Sequence, residues 1–169
     1  HINQETIYKY FKIINSINAS TLVTYPSSAY ILAKLAKEND LSFKYINQIR
    51  VASEKMQKSW AEEINHVFKI NPLAHYGQIE KVSFMHQTQE SSNYKNIYEY
   101  GVTELIAGNN YKNKIVGTGF LNYYMPFLRY ETGDYAENAH KENPKTVTDI
   151  LGRTSDILIS ENGTMLPGV

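Results

Sequence analysis

An aromatic ring, a flexible turn and a carboxylate recur in this sequence at one spacing. Tyr-Gly-x-x-Glu closes "NPLAHYGQIE" as Tyr76, Gly77 and Glu80, and it returns 24 positions later in "YGVTE" as Tyr100, Gly101 and Glu104. A ring offers a flat packing face, a glycine lets backbone come close, and a carboxylate accepts hydrogen bonds or a hard cation. On pattern alone either copy is weak, because a turn glycine beside a core tyrosine is the commoner use of these residues. Context separates them. The first copy follows an apolar run directly, so its ring and acid fall where a strand ends. In the second, Tyr98, Tyr100, Val102 and Glu104 fall on one face and Glu99, Gly101, Thr103 and Leu105 on the other, which is the pattern of a plain strand. Two further stretches carry turns with reactive side chains: Thr132-Gly133-Asp134 in "MPFLRYETGDYAE" and Gly152-Arg153 in "ILGRTSDILIS".

Other chemistry finds less support. His66, His75, His86 and His140 lie 9, 11 and 54 positions apart and match no metal-binding spacing. There is no G-x-S-x-G elbow, and "GTGF" (117–120) lacks the third glycine and the following helix of a dinucleotide fingerprint, so it reads as a strand with close backbone approach. Cysteine is absent, which removes disulfides, thiolate metal sites and cysteine nucleophiles together. Seventeen basic and seventeen acidic residues cancel, so no nucleic-acid track or membrane surface is expected, and no apolar run reaches membrane-spanning length. These features predict a soluble, cytoplasmic protein. The 169 residues suit one domain with a real core, although a start on His1 and an end on "TMLPGV" suggest a piece of something longer.

The elements that must position these residues alternate in the first half. Ile7, Phe11 and Ile14 share a helical face; "TLVTYP" is extended up to Pro26; Ser27 or Ser28 can cap a helix bearing Ile31, Leu32 and Leu35. "YINQIRVAS" reads as a strand, Ser53 or a neighbour begins a helix with Met56, Trp60, Ile64 and Phe68, and "PLAHYG" is the next strand. This alternation predicts an α/β fold with a partly parallel sheet and crossover helices, whose ligands sit at the carboxyl ends of strands. After Glu80 the segments "KVSFMHQTQ", "NIYEYGVTELI", "NKIVGTGFLN", "PFLRYETGD", "TVTDILGR" and "DILISENGTML" are short and β-rich, divided by Gly, Asn and Pro.

Taken in order, "YGxxE", "RYxTGD" and "GRxxD" resemble the adenylate-forming (AMP-binding) superfamily. "NYYMPFLRYETGD" resembles most closely its phenylacetate-CoA ligase branch and the related proteins of capsular polysaccharide biosynthesis. The likeness runs from about "TLVTYPSS" to the end. It selects the first Tyr-Gly-x-x-Glu, because several strands separate that turn from the Thr-Gly-Asp turn in the family. Tyr76 precedes Asp134 by 58 positions and Tyr100 by only 34. The resemblance implies part of the large domain of an adenylate-forming enzyme: residues 1–80 as an α/β portion ending at the adenine-binding turn, 81–151 as a β-rich portion with the ribose-binding turn, and 152–169 as a hinge and the start of a further domain.

It also implies roles. Tyr76 would pack on adenine and Gly77 would let the backbone approach the nucleotide. Glu80 would hold Mg²⁺ and serve the reaction; Asp134 would accept both ribose hydroxyls, and Arg153 would donate to the same sugar. Ser53 and Glu54 in "VASEKM" match the segment lining the adenine pocket, with Ser53 equally readable as a helix cap. The implied ligands are ATP or AMP, Mg²⁺, a small-molecule carboxylate and a thiol such as coenzyme A, with a homodimer as one option for assembly. The chain departs from the family at Ile79, where a hydroxyl residue usually precedes the glutamate, and at Ser155, where an acidic hinge residue is common and Asp156 comes one later. No Ser/Thr/Gly-rich phosphate loop and no lysine-bearing C-terminal domain appear in it, so the chain alone is not expected to adenylate. Two other classes stay open: a non-catalytic relative that keeps the fold, and a nucleotide-sugar-binding module in polysaccharide assembly.

Overall fold

Hydrophobic spacing and one proline set the first helices. The computed structural model describes residues 1–107, 112–138, 146–153, 157–159 and 165–167, and the chain folds as two units, His1–Ala74 and His75–Val169. In the first, α1 (Ile7–Ser16) buries Ile7 against Leu32 and Leu35 of α2 (Pro26–Glu38), with Ile14, Leu22, Leu41, Phe43 and Phe68 around them. Pro26 occupies the first helical position, where its fixed φ suits the helix and its missing N–H costs nothing. Tyr25 is therefore the N-cap, and the expected caps Ser27 and Ser28 lie inside the first turn.

Strands β1 (Thr21–Thr24), β2 (Gln48–Val51) and the start of β3 (Leu73–Gly77) pair in parallel, Thr21 with Gln48 and Val51 with Ala74. Helices α2 and α3 (Lys58–Phe68) make the connections, as the alternation predicts. They pack through Tyr30 and Trp60, whose rings stack at 5.5 Å, and through a Lys37–Glu63 ion pair of 2.9 Å. Helix α3 starts later than expected, after Gln57, leaving Met56 outside it. Ser53 does not cap it, because Ser53 adopts a left-handed backbone (φ 71). That turn follows β2 directly, and the Glu54 carboxylate accepts the Ser27 amide at 3.0 Å, so an acid from the loop satisfies one of the free N–H groups of α2.

The second unit is antiparallel. The end of β3 pairs with β4 (Phe84–Thr88), and the order continues through β5 (Ser91–Asn96), β9 (Thr146–Arg153), β8 (Tyr130–Asn138) and β7 (Asn113–Gly119) to β6 (Gly101–Ala107). A separate hairpin joins β10 (Ile157–Ile159) to β11 (Met165–Pro167). Strand β5, "SSNYKN", is not expected from its Ser- and Asn-rich sequence; Tyr94 alone in it is buried. Val82, Met85, Tyr94, Ile115, Val116, Ala136 and Val147 are the buried apolar residues among those described in this unit. Among the described residues no helix is long and apolar enough to cross a membrane.

Three glycines shape the face that matters for the site. A Cβ on Gly101, Gly117 or Gly119 would stand 2.8 Å from Val82 O, 2.7 Å from Val82 O and 2.3 Å from Lys81 O respectively. Gly101 lies opposite Gly119 and Gly117 opposite Thr103 in β6 and β7, and the three glycines leave a trough that seats Lys81 and Val82, with Thr103 beside it. The "GTGF" run is a strand with close backbone approach, as read from the sequence.

Candidate functional site

Tyr76 lies one residue before the end of β3, opposite Met85, while His75 and Gly77 face His86 and Phe84. Its hydroxyl donates to Asp134 Oδ2 at 2.7 Å and approaches Thr132 Oγ1 at 3.3 Å. A donor this close to a carboxylate makes a charge-assisted bond, stronger than a neutral one. Burial first, then the bond to Asp134, pushes the Tyr76 phenol far above the ordinary tyrosine range, so it acts as a donor and not as a phenolate.

Thr132-Gly133-Asp134 is expected as a turn closing a strand, and it is instead a bulge within continuous β8. The β7–β8 register slips between Lys114/Tyr135 and Val116/Glu131, and Gly133 takes φ 80, which favours glycine. Thr132 Oγ1 donates to Ile115 O at 3.0 Å and accepts the Asp134 amide at 3.1 Å, which fixes the bulge from inside. Asp134, 9 % exposed, is thereby presented with its backbone held. Arg153 stands opposite Asp134 in the β8–β9 register, with its Nε 3.6 Å from Oδ1 and its side chain more than half exposed. At that exposure the pair contributes little to stability.

Glu80 is placed by the glycine trough. Residues 78–81 form a turn closed by Lys81 N–H to Gln78 O at 3.1 Å, with Lys81 left-handed (φ 57) and Val82 fully buried beyond it. The Gln78 side chain accepts the Ser83 amide at 3.2 Å, and Ser83 Oγ meets Thr103 Oγ1 at 2.7 Å. Glu80 Oε1 accepts the Tyr130 hydroxyl at 3.2 Å. That bond and the nearby Glu80 charge raise the Tyr130 pKa, while Arg153 opposes the shift. Ile79, in the departing position, is 95 % exposed.

Of the sequence-selected residues, Tyr76 and Arg153 each reach Asp134, while Glu80 bonds Tyr130, four positions before Asp134 on the same strand. A Cβ on Gly77 would come within 3.1 Å of the Phe84 ring. Ser53 and Glu54 belong to the first unit, where Glu54 holds Ser27. In the second copy only Gly101 to Glu104 lie in β6, where Glu104 pairs with Arg129 at 3.1 Å; residues 98–100, expected in the same strand, form a turn closed by Tyr100 N–H to Ile97 O at 3.0 Å. The hinge residues Ser155 and Asp156, and His140, lie outside the described residues. The sequence gives Tyr130 no role and names Thr132 only as part of the turn, although with Asp134 they stand at every second position of "YETGD". Among the described residues no group of three His, Asp or Glu is placed to hold a metal ion. A lone carboxylate suits Mg²⁺, which binds through one or two carboxylates and takes its other oxygens from phosphates and water.

No family model matches the chain, and no curated protein does. Solved structures do. The chain superposes on a 2-hydroxyisobutyryl-CoA ligase in the postadenylation state in complex with R3-HIB-AMP, with a TM-score of 0.76 and 16 % identity over 99 % of this chain and 39 % of that one. An anthranilate CoA ligase in complex with anthranoyl-AMP gives 0.72 and 10 % identity over 98 % and 36 %. A coronafacic acid ligase from Pectobacterium brasiliense gives 0.62 and 14 % identity over 98 % and 35 %. The chain spans about two-fifths of the length of the first of these ligases. By fold, it is a mixed α/β chain built like one portion of these ligases.

Proposed function

We propose that this chain carries the nucleotide-holding portion of an AMP-forming acid–thiol ligase. In that reaction a carboxylate attacks the α-phosphate of ATP, giving acyl-AMP and pyrophosphate, and the acyl group then passes to a thiol such as coenzyme A. The observation that carries the reading is the meeting of Tyr76 with Asp134, 58 positions apart, through a 2.7 Å hydrogen bond. Asp134 is nearly buried, and a carboxylate held there suits a ribose diol. Arg153, opposite in the register, adds a donor for the same sugar. Glu80 supplies one hard oxygen ligand for Mg²⁺ on the phosphate side. Catalysis of this kind is positioning and electrostatic stabilisation of the phosphate in flight. The ligands of several matching structures, acyl adenylates and in two cases coenzyme A as well, support the same chemistry. Within the superfamily, "NYYMPFLRYETGD" favours the phenylacetate-CoA ligase branch and a capsular polysaccharide or aryl-acid context, in the cytoplasm.

A second reading, a nucleotide-binding relative that does not adenylate, is favoured by Ile79, an exposed apolar residue where a hydroxyl would reach phosphate. Titration of the chain with AMP, ATP and a non-reactive acyl-adenylate analogue, with and without Mg²⁺, tests the site through backbone amide shifts. Shifts at Tyr76, Gly77 and Asp134 that vanish in Asp134→Ala are expected; a folded chain in which nothing moves sinks the proposal. Pyrophosphate exchange by the polypeptide to which the chain belongs separates the two readings.

A further inference from the structure

Glu80 sits at an exposed turn, and its carboxylate needs something to aim it. Among the described residues Tyr130 supplies the hydrogen bond to that carboxylate, at 3.2 Å onto Oε1. The tyrosine is itself well fixed. Its backbone pairs with Gly117 of β7, and its ring meets Phe127 edge-on at 4.9 Å. The Phe127 carbonyl is in turn held by the Gly119 amide at 3.3 Å. Tyr130 is also two and four positions from Thr132 and Asp134, which hold the Tyr76 hydroxyl.

Resting on the ligase reading, we infer that Tyr130 is a positioning residue: its hydroxyl orients the Glu80 carboxylate toward the metal–phosphate end of the nucleotide. One strand, β8, then sets the spacing between that end and the sugar end at Asp134. The hydrogen bond to Oε1 leaves Oε2 for the cation, so clamp and ligand functions do not compete. The ring contact with Phe127 keeps the phenol from following the flexible glutamate, so the acid conforms to the tyrosine.

Two measurements on the chain test this. The first needs no nucleotide. With ¹³Cζ-labelled tyrosine and the Tyr130 signal identified by its loss in Tyr130→Phe, the Tyr130 ¹³Cζ shift is compared at neutral pH in wild type and in Glu80→Gln. Loss of the hydrogen bond to Oε1 is expected to move that signal in Glu80→Gln, and an unchanged shift overturns the inference. The second compares AMP without metal and Mg²⁺ with a non-hydrolysable ATP analogue. Tyr130→Phe should leave AMP affinity within about twofold and weaken the metal-bound analogue by about tenfold, the size of one lost hydrogen bond to a charged group. The double variant Tyr130→Phe/Glu80→Gln should be no weaker than Glu80→Gln alone. Equal loss for AMP and the metal-bound analogue, or a Tyr130→Phe chain that behaves as wild type, overturns it. A wild-type chain that binds neither ligand overturns the ligase reading and this inference with it, whereas the other outcomes bear on Tyr130 alone.

Discussion

Asp134 lies in a nearly closed place and accepts the Tyr76 hydroxyl at 2.7 Å, so the two residues stand or fall together. Tyr76→Phe removes the donor and leaves the carboxylate short of a partner, which should cost about 1.5–3 kcal/mol of stability, read from denaturant unfolding. Tyr76→Phe combined with Asp134→Asn should recover part of that loss, since the uncompensated charge is gone. Buried phenols also give the protein an alkaline limit. Burial and the Asp149 charge push Tyr94 up to about 12, and Tyr76 is raised further. Both groups hold their protons more tightly folded than unfolded. Their contribution is therefore fully present below the ordinary value of 10.0 and is lost as pH rises through the folded values. Stability should fall from pH 10 to about 12, and Tyr94→Phe should flatten part of that fall in denaturant titrations across the window. At this scale motif order selects Tyr76, Glu80, Asp134 and Arg153; Tyr76 and Arg153 each reach Asp134, and Glu80 reaches Tyr130 instead. The sequence was illegible at Tyr130, because a tyrosine in a β-like run looks like any sheet-face aromatic until its partner, 50 positions away, is known.

Among the elements, the trough on β6 and β7 and the bulge in β8 both depend on glycine, for different physical reasons. Gly119→Ala would drive a methyl to 2.3 Å from Lys81 O, a backbone atom that cannot step aside. It should cost about 1–3 kcal/mol by overpacking and displace Glu80. Gly133→Ala meets nothing within 4 Å and suffers only from φ 80, about 1 kcal/mol. Thermal unfolding of the two variants should rank them in that order, and amide shifts at residues 78–83 should appear for Gly119→Ala only. Strand and helix types were readable where the period was clear, as in β6, whose alternation separated the second Tyr-Gly-x-x-Glu from the first. Starts were less so. Pro26 overrides Ser27 and Ser28 by fixing the first helical φ, and left-handed Ser53 gives capping of α2 to Glu54. Strand β5 escaped because tertiary pairing, not propensity, holds "SSNYKN" extended.

Taken whole, the molecule has two units with their own buried sets, and the four candidate residues at 76, 80, 134 and 153 all belong to the second. Glu54→Ala should therefore loosen the first unit, costing about 0.5–2 kcal/mol at the start of α2. Hydrogen exchange should report this as faster exchange in α2, with amides of β6 and β7 unchanged; equal loosening of both would show that the units open together. The architecture was legible in outline, parallel then antiparallel, because helix–strand alternation and short β runs are local signals. The insertion of β9 between β5 and β8 was not, since no local pattern announces which distant strand a segment will join.

That insertion and the glycine trough have a temporal consequence. A ribosome makes Glu80 well before it makes Gly101, Gly117 and Gly119, and Arg153 follows Glu80 by 73 residues. At about 5–20 residues per second, roughly 4–15 s pass before its seat, its tyrosine clamp and its neighbouring cation have all been made. The arrangement around Glu80 therefore cannot close until almost all of the second unit has been synthesised, and on the proposed reading nucleotide could not assist the early steps of folding.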